Sequence, residues 1–320
     1  MCMVKNPYIY SLDNKRYQTI NYYLKTKYNQ KVAKVPLNAS FTCPNRDGTK
    51  STGGCTFCSS KGSGDSILGF HEDLMTQYTI GLERMKSKWK DCIGFAYFQS
   101  FSNTYAPLET LKKIYDPFFF NKDIKGICIA TRADCLDDEK IAYFNEMAKE
   151  NEVWIELGLQ SIHEDTNRLI NRAHSTKEVF DCIEKLKKTN ILCCVHIMNS
   201  LPFETKEMLI ETARQISIYK PDAIKIHMLH IIKDTKMEEM YRNNEFTLMT
   251  LEEYVETVVD QLEILPPDMI IERVTGDGMA KDLIAPLWTI KKTIVANEID
   301  KLMVKRDTWQ GKKYGGSCNG

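Results

Sequence analysis

The sequence predicts an α/β protein, a partial (β/α)6 TIM-like barrel with N- and C-terminal extensions. Three observations carry this expectation. Six short, apolar, β-branched runs alternate with stretches whose apolar residues recur at helical spacing. From the second run onward, strand starts lie roughly 30 to 40 residues apart, the length of one βα unit. Each run is bounded by polar or turn residues, as buried parallel strands are. Six units fall short of the eight that close a full barrel. An open barrel fits the count, and a doubly wound sheet is the alternative.

In order, the strand candidates are Ala33–Asn38, Ile93–Phe98, Gly126–Thr131, Val153–Leu159, Ile191–Met198 and Ala223–Leu229. Between them, Leu74, Tyr78, Leu82, Met85 and Trp89 form one helical stripe. Ile141, Phe144 and Met147 form a second behind the capping residue Asp137, and Val179, Ile183 and Leu186 a third. Met208, Thr212, Ala213 and Ile216 form a fourth, stopped by Pro221. The capping box Thr250-x-x-Glu253 starts a last helix that turns Val255, Val258, Val259 and Leu262 inward. No Pro/Gly/Ser-rich linker divides the chain. It therefore reads as a basic N-terminal extension (1–30), a core barrel (31–235) and a C-terminal substrate-side extension (236–320). More than 30 residues separate the first strand from the helix at Leu74. Loops that long are usually functional, and parallel α/β folds place their chemistry at the C-terminal ends of strands.

Length and composition bound the function classes. A chain of 320 residues that is 43% hydrophobic can bury its own core. No apolar run reaches the ~18 residues of a membrane-spanning helix, so no membrane partner is expected. Met1–Tyr10 lacks the pattern of a signal peptide, which makes the cytoplasm the expected compartment. Among 11 cysteines, Cys128, Cys193 and Cys194 sit in apolar runs and read as small buried hydrophobes. A clustered subset in a reducing compartment reads as metal-binding or catalytic. Net charge is zero, yet residues 1–50 hold nine Lys/Arg against two acids and residues 281–320 hold eight against four. Such asymmetry marks either a polyanion-binding face or solvated termini.

The informative cysteines lie in the long loop, spaced Cys43-x11-Cys55-x2-Cys58. Three soft thiolates suit zinc or an iron–sulfur cluster. Gly53 and Gly54 let the backbone curl around a bulky inorganic core. A structural zinc site takes four protein ligands, and the nearest further candidates are Cys92 and His71. A [4Fe–4S] cluster held by three thiolates leaves one iron open. An incidental grouping and a Cys-x2-Cys redox pair are further alternatives, though the pair does not explain Cys43.

The loop resembles that of the radical S-adenosylmethionine (SAM) superfamily, which carries an aromatic residue before its last cysteine; Phe57 fills that position. The usual first gap is shorter. The chain is similar to YhcC/YtqA-type radical SAM proteins, which also resemble the catalytic subunit of Elongator. The likeness runs from about Tyr22 to Tyr314. It is carried by Cys43-Pro-Asn-Arg-Asp-Gly, Gly54-Cys55-Thr-Phe-Cys58, Tyr97-Phe-Gln-Ser-Phe-Ser-Asn-Thr-Tyr-Ala-Pro107, Ile129-Ala-Thr-Arg-Ala-Asp134, Glu156-Leu-Gly-Leu-Gln-Ser161 and Leu287-Trp288. The resemblance implies two cofactors, a [4Fe–4S] cluster on Cys43, Cys55 and Cys58 and SAM on its open iron. It also implies an electron donor such as flavodoxin or ferredoxin, and cleavage of SAM to a 5′-deoxyadenosyl radical.

The resemblance further implies SAM contacts at the strand ends. Gln99, Ser100, Ser102 and Asn103 stand where the family cradles the methionyl amino group; an ordinary polar loop is the alternative, and Phe101 and Tyr105 could instead stack on a substrate base. Arg132 stands where the family carries an Arg able to hold a carboxylate or phosphate in bidentate fashion, the alternative being an Arg132–Asp134 surface pair. Ala133 replaces the usual Pro. Glu156, Gly158 and Gln160 share one strand face, and Gln160 matches the ribose contact. Arg172 matches the Arg that binds the SAM carboxylate. Ala173, Ser200 and Phe203 replace family glycines. His196 either reaches the ribose or is a satisfied core histidine, and His227 and His230, near Lys225, could face the substrate. Segments Arg273–Gly278, Ala285–Trp288 and Asp307–Gly311 suggest substrate contact. The similar family is linked to tRNA wobble-uridine maturation, including processing of a carboxymethylaminomethyl group, and the basic termini are compatible with tRNA. Rival readings are a radical SAM enzyme acting on a small molecule or protein, a non-catalytic metal-stabilised RNA-binding protein, and a metal-free barrel enzyme.

Overall fold

The structure, a computed structural model, describes residues 15–60, 62, 73–276 and 281–315. Seven parallel strands form the main sheet: β1 (Val32–Leu37), β2 (Ile93–Phe98), β3 (Gly126–Thr131), β4 (Glu152–Gln160), β5 (Leu192–Asn199), β6 (Ala223–Met228) and, after the two-residue β7 (Ile231–Ile232), β8 (Ile270–Arg273). Neighbours in space follow chain order, β1-β2-β3-β4-β5-β6-β8. A doubly wound sheet reverses its order at a switch point, so this progression is that of a curled partial barrel. The sheet holds one strand more than the six expected. The addition, Ile270–Arg273, pairs with β6 and is only four residues long. The short β7 pairs antiparallel with β9 (Leu283–Ala285) over one end.

The helices are α1 (Ile20–Tyr28), α2 (Leu74–Lys88), α3 (Leu108–Phe119), α4 (Asp138–Met147), α5 (Glu164–Leu169), α6 (Thr176–Leu186), α7 (Lys206–Tyr219), α8 (Lys236–Arg242), α9 (Leu251–Ile264) and α10 (Lys292–Lys305). The signals read from sequence do what they should. The Asp137 side chain caps α4, and the Thr250–Glu253 capping box opens α9 in both directions. The outer faces of the strands and the inner faces of the helices make the main core, in which Leu111, Tyr115, Phe144, Ile183, Ile216 and Leu262 are wholly buried.

Alternation along each strand sorts the inner face by height. The lowest tier is apolar: Val32, Phe95, Cys128, Trp154, Cys194, Ala223 and Ile270 pack together with Leu24 of α1. Helix α1 thus plugs the floor. The chain just before it pairs with the seventh strand, Ile271 N–H donating to Gln18 C=O at 2.7 Å. One step up stand Lys34, Tyr97, Glu156, His196, Lys225 and Glu272. At the strand ends the sheet opens onto the cysteine loop.

Candidate active site

The charged tier is a closed ring. Lys34 Nζ donates to Glu156 Oε1 at 2.9 Å and to Glu272 Oε2 at 2.7 Å. Lys225 pairs with Glu156 and lies 3.4 Å from Glu272. Tyr97 O–H donates to Glu156 Oε2 at 2.8 Å and accepts from Lys225 Nζ at 3.1 Å. His196 Nε2 sits 3.1 Å from the same carboxylate, which assigns the proton to that nitrogen. Burial raises the Glu156 carboxyl, but Lys225 and Lys34 outweigh it and hold the group well below the usual range. Burial, and then Lys225, lower the His196 imidazole; burial, His196 and Arg273 lower His227, so both rings are neutral. The cost of a buried Glu is thus met by two ammonium groups.

Above the ring lies a cavity of about 240 Å³. Cys43, Cys55 and Cys58 line one side, and Glu156, His196, Lys225, His227 and Arg273 line the floor and far wall. The cysteine loop is stitched to the turn after α5. Thr56 N–H donates to Ile170 C=O at 3.0 Å, Asn171 Nδ2 to Gly54 C=O at 2.8 Å, and Asn45 Nδ2 to Asn171 C=O. Arg46 braces the far end of the loop, donating to the carbonyls of Cys58 at 3.1 Å and Ser59 at 2.5 Å. A Cβ on Gly54 would fall 2.8 Å from Arg46 Nε, at a φ of +81°, so this close turn requires glycine.

Each thiol meets polar neighbours. Ser102 Oγ lies 3.6 Å from Cys43 Sγ, and Asn45 Nδ2 and Arg172 lie 3.5 and 3.8 Å from Cys55 Sγ. Burial, with Cys55 beside it, pushes the Cys58 thiol up to about 11, against the pull of Arg46. Among the described residues no three His, Cys, Asp or Glu side chains converge on a point where a single ion would sit. A cluster offers a separate iron to each thiolate and does not ask three sulfurs to meet. Cys92 precedes β2, at the opposite end of the strand from the cavity, and is no fourth ligand. His71 lies outside the described residues, as do Asp277 and Gly278. The donor set therefore fits a [4Fe–4S] cluster on Cys43, Cys55 and Cys58. Arg172 lines the cavity beside Cys55, donates one nitrogen to Gly158 C=O, and keeps a buried Nε without a protein partner, a cation suited to an anionic cofactor group.

Of the residues expected from sequence, Phe57, Ser102, Arg132, Gln160, Arg172 and His196 line this cavity. Ser100 and Asn103 do not. The Asn103 amide donates to the carbonyls of Phe98, Ser100 and Ala130, tying the β2 loop to β3, while Ser100 Oγ is buried without a partner. Arg132 and Asp134 form a bidentate pair, buried rather than on the surface. His230 packs against Gly276 beside the cavity rather than lining it. Gln310 donates to the carbonyls of Pro266 and Met269 and accepts from Gln18 N–H, so the 307–311 segment secures the chain before α1 and does not face the cavity. Ala173, Ser200 and Phe203 keep the left-handed backbone their glycine counterparts favour, at φ of 54°, 71° and 67°. Sequence reasoning missed Lys34, Glu272 and Asn171. The first two carry a readable signal, a charge at an inward position of an apolar strand.

Three comparisons fit this geometry. The profile of the Radical SAM superfamily matches residues 43–216, and that of the Radical_SAM C-terminal domain matches residues 221–305. The protein YtqA of Bacillus subtilis (strain 168) is 44% identical over 312 residues, spanning 98% of this chain and 97% of that protein. A tRNA uridine(34) acetyltransferase of Methanocaldococcus infernus is 27% identical over 57% of this chain, but only 33% of its own length is covered. Among solved structures, Elp3 of Methanocaldococcus infernus superimposes with a TM-score of 0.68 at 20% identity, over 87% of this chain and 64% of that one, a likeness of fold. The chain therefore belongs to the radical SAM superfamily and is of the YhcC/YtqA type.

Proposed function

We propose that this radical SAM protein is an enzyme that modifies tRNA, acting on a wobble-uridine side chain at the carboxymethylaminomethyl stage. Its superfamily brings two cofactors, a [4Fe–4S] cluster and SAM. The observation that carries the enzymatic reading is the set of three cysteine thiols opening onto one cavity beside the orphaned Arg172 Nε. When bound, the reduced cluster supplies the electron that splits the sulfonium bond of SAM and so generates a 5′-deoxyadenosyl radical.

The chain's own residues bind and orient. Cys43, Cys55 and Cys58 hold the cluster. Arg172 takes the SAM carboxylate, Ser102 and Gln160 offer polar contacts to the methionyl amino and ribose groups, and Phe57 supplies an apolar wall. The apolar lowest tier and the α1 plug exclude water from below. The electron comes from a low-potential carrier such as flavodoxin or ferredoxin, in the cytoplasm.

Two features support tRNA as the substrate: the similarity to the tRNA uridine(34) acetyltransferase, and the basic ends of the chain. The test is anaerobic reconstitution followed by measurement of 5′-deoxyadenosine with and without bulk tRNA, alongside a mobility shift titrated with salt. The reading expects tRNA-stimulated SAM cleavage, and binding that weakens linearly in log salt. Cleavage indifferent to tRNA, with no shift at low salt, points to a small-molecule or protein substrate.

A further inference from the structure

The family likeness puts Arg132 in contact with a ligand, but the structure spends its guanidinium elsewhere. Nε and one terminal nitrogen grip Asp134 at 2.9 and 2.8 Å. That same nitrogen reaches the Ala173 carbonyl at 3.1 Å, and the other terminal nitrogen donates to the Arg172 carbonyl at 2.8 Å. Four of the five N–H groups of this planar fork are thus used within the protein. Arg132 is 2% exposed, so these bonds form away from water. They fasten the end of β3 to a turn whose flanking residues, Asn171 and Ala173, both hold left-handed backbone. Between those two stands Arg172, its guanidinium against Cys55 Sγ and Gly158 C=O. The cysteine loop is tied to the neighbouring residues, Ile170 and Asn171, by bonds that do not involve Arg132.

We propose that Arg132 is a positioning residue: held by Asp134, it fixes the 172–173 carbonyls so that Arg172 faces the cavity beside Cys55, and it acts on SAM only through Arg172. This rests on Arg172 as the partner of the SAM carboxylate. Rigid support of this kind matters because small misplacements of a binding group are costly. The two jobs of the turn separate at Arg132: Asn171 and Asn45 secure the cluster loop, while Arg132 aims Arg172, and Asp134, which holds Arg132, also lies 3.8 Å from Lys50 of that loop.

The experiment measures SAM affinity of the anaerobically reconstituted holoprotein by equilibrium dialysis, without turnover, together with iron and sulfide per chain. Arg132→Gln should keep wild-type iron content and weaken SAM binding about 10- to 100-fold. Asp134→Asn should act in the same direction and more mildly, and it carries the test if Arg132→Gln melts well below the parent. In an Arg172→Ala background, Arg132→Gln should have no further effect, since contacts acting through one group are not additive. Multiplying losses in the double variant, or iron content that falls with SAM affinity, would overturn the proposal. Arg172→Ala binding SAM normally sinks the reading of Arg172 itself, and with it the route assigned to Arg132.

Discussion

Glu156→Gln tests whether the charged ring stabilises this barrel or merely occupies it. In the parent, one carboxylate receives Lys34, Lys225, Tyr97 and His196. The amide keeps a single acceptor oxygen and turns an NH2 group toward ammonium hydrogens. Glu272 stays within reach of both lysines, at 2.7 and 3.4 Å, so about one positive charge loses its partner. Removing one member of a buried ion pair costs about 3–5 kcal/mol. The surviving Glu272 puts the expectation near the lower end, about 3 kcal/mol. Urea unfolding under anaerobic conditions, at equal iron content, measures it. The double variant Glu156→Gln/Lys225→Met removes the stranded charge and should recover at least about 1 kcal/mol. A pH series adds a signed check. Glu156 is depressed in the fold, so its contribution is complete above the unfolded carboxyl value of about 4.3 and fades as pH drops through the lower folded value. The gap between parent and variant should therefore be constant at neutral pH and narrow only in acid. A single-variant cost under about 1 kcal/mol, or a double variant weaker than the single, refutes the reasoning.

Replacing any one of Cys43, Cys55 and Cys58 by Ala should abolish the brown colour and lower iron per chain after reconstitution, whereas Cys128→Ala should leave iron content unchanged; retention of a full cluster by the Cys55 variant would contradict the ligand assignment. Phe203→Gly should raise stability by about 0.5–1 kcal/mol in thermal or urea unfolding, because the left-handed cost of a non-glycine residue, about 1–2 kcal/mol, exceeds the added chain entropy and a side chain 66% exposed gives up little packing. Leu24→Ala should cost about 2–5 kcal/mol, since it hollows the plug packed on Phe95 and Trp154; a loss under about 1 kcal/mol would mean that α1 does not close the floor.

Some of this was legible in the sequence for physical reasons. Ile93–Phe98 and Gly126–Thr131 are dense apolar runs with sharp polar borders, so their limits could be read directly. Cys43, Cys55 and Cys58 stood out because ligand spacing is local. β8 was not legible: it has four residues, two of them charged, and its periodicity is too short to register. Lys34 and Glu272 each break the apolar pattern of an inner face, yet nothing local says that they meet; only the register of seven strands brings residues 34, 156, 225 and 272 to one height. Ser100 and Asn103 could not be separated from Ser102, because loop residues carry no period from which to infer direction. The glycine replacements looked like departures in backbone, but tertiary context holds Ala173, Ser200 and Phe203 in the same left-handed region.

The tiering of the barrel explains why its chemistry has one end. A parallel strand can present apolar, charged and polar residues in succession on one face, and each tier suits a different water content. Phe95 and Trp154 make the floor largely apolar, and the Trp154 indole N–H is satisfied by Glu152 Oε1 at 2.8 Å. The ring above them is ionised but internally neutral, two lysines against two glutamates, so it tolerates burial without a counterion. Burial, with Glu156 beside it and against the pull of Lys225 and Lys34, keeps Tyr97 a phenol, and burial with Lys225 lowers the His196 imidazole. Replacing the ring by apolar residues could give a sturdier barrel, as buried ion pairs often allow. It would also remove the polar floor, and that is the part of the cavity left for recognising whatever molecule lies opposite the cluster.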